Sequence, residues 1–150
     1  MAADVAAEAV AADVDNAPII DLHDVVKQYG AGESAIFALD GVSLSIFPGE
    51  YVAIMGASGS GKSTLMNVIG ALDIPTSGEY YLDGIDMASL DENQLAIVRG
   101  RKIGFIFQSF NLIPRTSALA NVELPLAYQG IKIKERRMRA LKALDLIGLS

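Results

Sequence analysis

One segment constrains this chain more than any other. It runs from the apolar stretch Tyr51-Val52-Ala53-Ile54-Met55 through the glycine loop Gly56-Ala57-Ser58-Gly59-Ser60-Gly61-Lys62-Ser63-Thr64, and on to Leu65, Met66, Val68, Ile69 and Leu72 at helical spacing. A short apolar run without alternation suits a strand buried on both faces of a parallel sheet. The helical spacing ends ahead of Pro75, which stops a helix. A glycine loop between a buried strand and a helix N-terminus is a cradle for phosphate, because free backbone N–H groups and the helix dipole converge there.

Within the loop, Gly56, Gly61, Lys62 and Ser63 satisfy G-x-x-x-x-G-K-[ST]. From ordinary residue frequencies a random chain of this length matches on the order of 5% of the time or less, and the flanking strand and helix patterns cut that further. The glycines let the backbone approach phosphate oxygens closely. Lys62 is expected along the β- and γ-phosphates as a point charge, the Ser63 hydroxyl on magnesium, and Thr64 beside the α-phosphate. ATP and Mg2+ are thus the expected ligands. The loop alone leaves kinases, GTPases, helicases and transporter ATPases open.

The rest of the chain sets bounds. With 12 basic against 18 acidic residues the net charge is −6, which argues against a nucleic-acid partner, whose footprint is a basic patch. The local exception, Lys132, Lys134, Arg136, Arg137 and Arg139, reads as the solvated face of a helix. There is no cysteine, so disulfides, thiolate metal sites and a cysteine nucleophile are excluded. His23 is the only histidine and cannot make a metal site alone. No apolar run reaches the roughly 18 residues that span a bilayer, so any membrane role is expected through a partner. Residues 1–17, mostly Ala, Val and Asp without a positive start, read as a flexible tail and not a signal peptide.

Ile19 to Val26 is rich in β-branched residues and reads as a strand, followed by a loop or hairpin at Tyr29-Gly30-Ala31-Gly32-Glu33. Val42-Ser43-Leu44-Ser45-Ile46 alternates cleanly and ends at the turn pair Pro48-Gly49. Ser77 to Gly84 reads as a short strand closing on a turn, and Asp91 to Arg101 as a helix. Ile103-Gly104-Phe105-Ile106-Phe107 reads as a second buried strand with Gln108 at its end. Lys134 to Ile147 reads as an amphipathic helix with Met138, Leu141, Leu144 and Ile147 on its apolar side and Gly148 as its stop.

The succession Tyr29, Ala38-Leu39-Asp40-Gly41-Val42-Ser43-Leu44-Ser45-Ile46, Pro48-Gly49-Glu50, Gly56 to Thr64, Pro75-Thr76-Ser77-Gly78 and Gly104-Phe105-Ile106-Phe107-Gln108 resembles an ATP-binding-cassette domain, over Ile19 to Leu149. Ile69 to Gly78, Phe107 to Pro114 and Glu123-Leu124-Pro125-Leu126 look most like the macrolide-export and lipoprotein-release branch. The resemblance implies an α/β P-loop NTPase fold with an N-terminal antiparallel β subdomain, a partial RecA-like core and the start of a helical subdomain, over residues 18–150. It implies that Tyr29 stacks on adenine, where the bland alternative is a turn tyrosine. It implies that Gln108 contacts magnesium or the attacking water, where the bland alternative is a strand-end amide. Lys62 and Gln108 are then the catalytic positions, and Ser63 and Gln108 the metal contacts.

The departures matter equally. The family's L-S-G-G-Q signature, its Walker B run ending in Asp-Glu and its switch histidine are absent from the 150 residues, and Tyr80-Tyr81-Leu82-Asp83 is a strand and turn placed too early to be Walker B. Two readings follow. In one, the chain is the first part of the ATPase subunit of an exporter, at the cytoplasmic face of the membrane, partnered by a transmembrane permease and a second nucleotide-binding domain. In the other it is a non-catalytic nucleotide-binding module. A small P-loop kinase would need a lid and an acceptor site, and the sequence offers neither.

Overall fold

The computed structural model describes residues 17–149. The expected tail, apart from Ala17, lies outside the described residues. The chain divides between Asp91 and Glu92 into two compact units, each described by itself.

The first unit is organised by a four-stranded sheet in the order β2-β1-β3-β4. Its strands are β1 (Ile20–Tyr29), β2 (Ile36–Ile46), β3 (Ser77–Leu82) and β4 (Ile85–Asp86), and every neighbouring pair is antiparallel. The central strand β1 aligns Ile20 with Ile46 on one side and with Leu82 on the other. The alternation in β2 is the one the sequence shows: Val42, Leu44 and Ile46 are half-buried, while Ser43 and Ser45 between them are exposed. In β1 the alternation breaks. Leu22 and Val25 are both buried although three positions apart, because the register shifts between them and Asp24 takes a left-handed φ of 46°. The extra residue of a bulge moves Val25 back to the core face. The Asp24 N–H donates to Ser43 Oγ at 2.9 Å across the strand pair.

Opposite this bulge β3 needs a glycine. Gly78 sits at φ 89°, and a Cβ there would lie 2.4 Å from the Asp24 carbonyl oxygen, closer than any side chain can come. The core of the unit joins Leu22, Val25, Leu39, Tyr80, Leu82 and Met87 to Leu65 and Val68 of helix α1 (Lys62–Ile69). Tyr80 is the largest buried side chain, and its hydroxyl donates to the Ile69 carbonyl at 2.7 Å, so the sheet holds the C-terminal end of α1.

The second unit carries α2 (Glu92–Lys102), α3 (Ala118–Tyr128) and α4 (Ile133–Leu146). Ser117 caps α3, accepting from the Ala120 N–H. Asn121 fastens the preceding segment: its side-chain oxygen accepts from the Ile113 N–H at 2.8 Å and its amide donates to the Thr116 and Ser117 carbonyls. Helix α4 turns a narrower apolar stripe inward than the spacing suggests. Ala140 and Leu144 are buried, whereas Met138, Leu141 and Ile147 are exposed. Of the five basic residues expected on a solvated face, Lys132, Lys134, Arg137 and Arg139 are exposed, whereas Arg136 is half-buried with its Nε unpartnered; Arg139 pairs with Glu135 one turn back. Gly148 ends the element at φ 74°.

Two expectations fail. Neither 51–55 nor 103–107 forms a strand, and neither is buried: Tyr51 is 99% exposed and Ile106 fully exposed. An apolar run becomes a strand only where a neighbouring strand takes up its N–H and C=O groups, and among the described residues no strand pairs with either segment.

Candidate functional site

The glycine loop enters α1 as the sequence requires. Gly61 is the N-cap at φ 88°, and the first helical hydrogen bond runs from the Leu65 N–H to the Gly61 carbonyl at 2.8 Å. No L-residue with a side chain fits at Gly61, because its Cβ would lie 2.3 Å from the Ala38 carbonyl of β2. The close approach of loop and strand therefore fixes where the helix starts. The first turn of α1 holds no acidic residue, so nothing on the helix itself neutralises the positive end of its dipole.

The Lys62 ammonium folds back over the loop, donating to the carbonyls of Gly56 at 2.9 Å and Ala57 at 2.6 Å, with Ser60 Oγ at 3.5 Å. A cavity of about 590 Å³ opens beside it. Its walls are Ile36, Phe37 and Ala38 of β2 and, facing them, Ser58, Gly59, Gly61, Lys62, Ser63 and Thr64. These groups suit a polyphosphate: N–H donors at a helix start, one mobile cation, small side chains and no carboxylate. Among the described residues no three His, Cys, Asp or Glu side chains come together as a cation cage. The Ser63 hydroxyl could give a hard cation such as magnesium one oxygen ligand, with water and phosphate oxygens supplying others.

Tyr29 closes β1 and is 43% exposed. Its hydroxyl donates to Asp73 Oδ2 at 2.7 Å. Lys27 lies 5.2 Å above the Tyr29 ring centre, and its ammonium also binds the Asp73 carboxylate and the Ile74 carbonyl, the latter at 2.7 Å. The hydrogen bond to Asp73, then burial, then the Asp73 charge push the Tyr29 phenol above its ordinary value, against the opposing effect of Thr64. Burial works to raise the Asp73 carboxyl, but the hydrogen bonds from Lys27, Tyr29 and the Ile74 N–H, with the Lys27 charge, hold it below the usual carboxylate range.

So the structure brings Tyr29 and Gly56 to Thr64 into one unit. Gln108 lies in the second unit, exposed, at a bend in the irregular segment after 103–107. Lys27, Asp73, Ile36 and Phe37 were not singled out from the sequence. Lys27 stands two places before Tyr29 on the same strand face, the one local signal that could have found it.

Glycine loop, helix and folded-back lysine together carry the mark of a P-loop nucleotide-binding protein, although residues 51–55 ahead of the loop form no strand. The model of the ABC transporter family matches residues 39–150, and the chain belongs to that family. It is 52% identical over 131 residues to an ABC transporter ATP-binding protein of Thermotoga maritima, covering 87% of this chain and 56% of that protein. It is 54% identical over 132 residues to YknY of Bacillus subtilis, an ABC transporter ATP-binding protein, covering 88% of this chain and 57% of that one. The macrolide export ATP-binding/permease protein MacB of Brucella abortus is 52% identical over 133 residues, 89% of this chain and 21% of MacB. Among solved structures, the dimeric ATP-binding cassette MJ0796 in a post-hydrolysis state with ADP and Pi superposes at a TM-score of 0.77 with 51% identity, over 87% of this chain and 58% of that one. The chain thus spans a little over half the length of the first two relatives.

Proposed function

We propose that this chain binds ATP with magnesium at Gly56 to Thr64, and that it is the N-terminal portion, residues 18–150, of the ATPase subunit of an ABC exporter. The observation that carries the reading is Lys62, whose ammonium rests on two loop carbonyls beside the cavity of about 590 Å³. Phosphate oxygens are stronger partners for that ammonium than neutral carbonyls, so an incoming polyphosphate draws it off the loop. Loop N–H groups and Lys62 then neutralise charge that develops on the transferred phosphoryl, Ser63 contributes its hydroxyl to the cation, and Tyr29 takes the adenine. The resemblance of Gln108 to the family's glutamine supports a role for it in placing water or contacting the cation in a full-length protein. Magnesium, when bound, would supply charge neutralisation to the phosphates.

The relatives named for macrolide export and the dimeric cassette support a membrane permease and a second cassette as partners. Among the described residues no helix is long and apolar enough to cross a membrane. Attachment at the cytoplasmic face through the permease is part of this proposal. A second reading rests on the 150 residues containing neither L-S-G-G-Q nor a Walker B carboxylate pair: this chain alone binds nucleotide without turnover. In a full-length protein carrying this segment, Lys62→Ala is expected to reduce ATP turnover about 100-fold or more. Undiminished turnover overturns the assignment. Phosphate release by the 150-residue chain decides between the two readings, since sustained release rules out the non-catalytic one.

A further inference from the structure

A base-stacking tyrosine at a strand end has two soft torsions, and its usefulness depends on where the ring is held. In this chain the ring is tethered at its far end. Its hydroxyl donates to Asp73, 44 residues downstream, and the Asp73 N–H donates in turn to the Asn67 carbonyl of α1 at 3.2 Å. Asp73 is itself held from three directions, by the Lys27 ammonium, the Tyr29 hydroxyl and the Ile74 N–H at 2.9 Å. The segment carrying it is stitched to β1 as well: the Thr76 N–H donates to the Val26 carbonyl at 2.8 Å, and the Gln28 N–H to Thr76 Oγ1 at 3.0 Å. Lys27 covers one side of the ring with its ammonium, which leaves the other side for a purine.

We propose that Asp73 and Lys27 are positioning residues for nucleotide binding, fixing the Tyr29 ring as a one-sided platform whose location is tied through Asp73 to helix α1, which starts at the phosphate loop. Neither touches the nucleotide. The inference rests on the reading of Tyr29 as the adenine platform. Its consequence is that Asp73 and the Tyr29 hydroxyl matter to a ligand with a base and not to the phosphates alone. A pair serving only to fold the 73–76 turn would affect both alike.

The test titrates Mg2+-ATP and Mg2+-tripolyphosphate by calorimetry into the full-length protein carrying this segment. Tyr29→Ala is expected to weaken ATP about tenfold or more, the range of a lost base stack, with tripolyphosphate unchanged. Tyr29→Phe keeps the ring and loses the tether, and Asp73→Asn keeps the shape and loses the charge that holds Lys27. Each is expected to weaken ATP about threefold to tenfold, the scale of one hydrogen bond, and to leave tripolyphosphate unchanged. The double variant should be no weaker than the weaker single, since both break one link. If Tyr29→Phe binds ATP like the parent while Tyr29→Ala does not, the platform stands and the tether is overturned. If Tyr29→Ala itself binds ATP like the parent, the platform reading fails first. Equal losses of ATP and tripolyphosphate in Asp73→Asn overturn the positioning role in favour of a structural one, and should that variant not fold, Tyr29→Phe alone decides.

Discussion

Segment 103–113 of the second unit is more apolar in sequence than the strands of the first unit's sheet, yet the two end in states opposite to that order. Leu22 and Val25 on β1 have no exposed surface, while Ile106, Phe110 and Leu112 are largely in solvent. Hydrophobicity does not separate them; access to a pairing partner does. Each strand of the sheet finds an antiparallel neighbour inside the same unit, along β1 on both of its sides. The apolar runs 51–55 and 103–107 have no such neighbour among the described residues. Antiparallel pairs can be closed by turns, whereas strands of a parallel sheet depend on crossovers that bring distant segments together.

The most forceful way to break this comparison is to cut into β1. Leu22→Ala removes a fully buried side chain packed under the sheet and is expected to cost about 2–5 kcal/mol, read as a shift of the urea midpoint by circular dichroism. A loss below about 1 kcal/mol would mean that the sheet is not the stabilising element of the first unit.

A smaller effect tests the joint between sheet and helix. Tyr80 is 2% exposed, and burial pushes its phenol up to about 12 from 10.0. The folded state therefore keeps this proton where the unfolded chain has lost it. Stability from this residue is intact below pH 10 and declines as pH rises from there toward 12. At pH 11 the decline is about 1.4 kcal/mol. Tyr80→Phe should abolish that step, so the gap between the variant and its parent in thermal unfolding closes on going from pH 7 to pH 11, with the parent no longer the more stable. At pH 7 the variant should be weaker by about 1 kcal/mol, for the bond to the Ile69 carbonyl. A gap independent of pH would place Tyr80 in contact with water.

What could be foreseen follows the same division. The phosphate loop is contiguous, each position has a steric or electrostatic requirement, and the helix begins at Lys62 where the sequence places it. The alternation of β2 and the hairpin after Tyr29 are local patterns and are legible for that reason. The bulge at Asp24 is not, because nothing in the residues announces that Leu22 and Val25 must share a face until β3 crowds against the strand at Gly78. Helix α3 was missed because Pro125 lies inside it and its apolar residues do not segregate to one side. The tether of Tyr29 depends on Asp73, 44 residues away, and a pairing across that separation has no period by which to recognise it.

The smallest expected effect sharpens the comparison most. Ile106→Ser replaces a fully exposed side chain in the segment that hydrophobicity alone assigns to a buried strand. If pairing decides burial, this substitution in the 150-residue chain changes stability by less than about 0.5 kcal/mol, as for a surface position, while the Leu22 substitution stays costly. A loss of about 2 kcal/mol or more would put 103–107 into a packed strand and dissolve the contrast with β1. The same substitution in a longer protein adds the missing arm. A penalty that appears only there reports a neighbouring strand supplied from outside these residues, because the side chain is unchanged and only the availability of a partner differs.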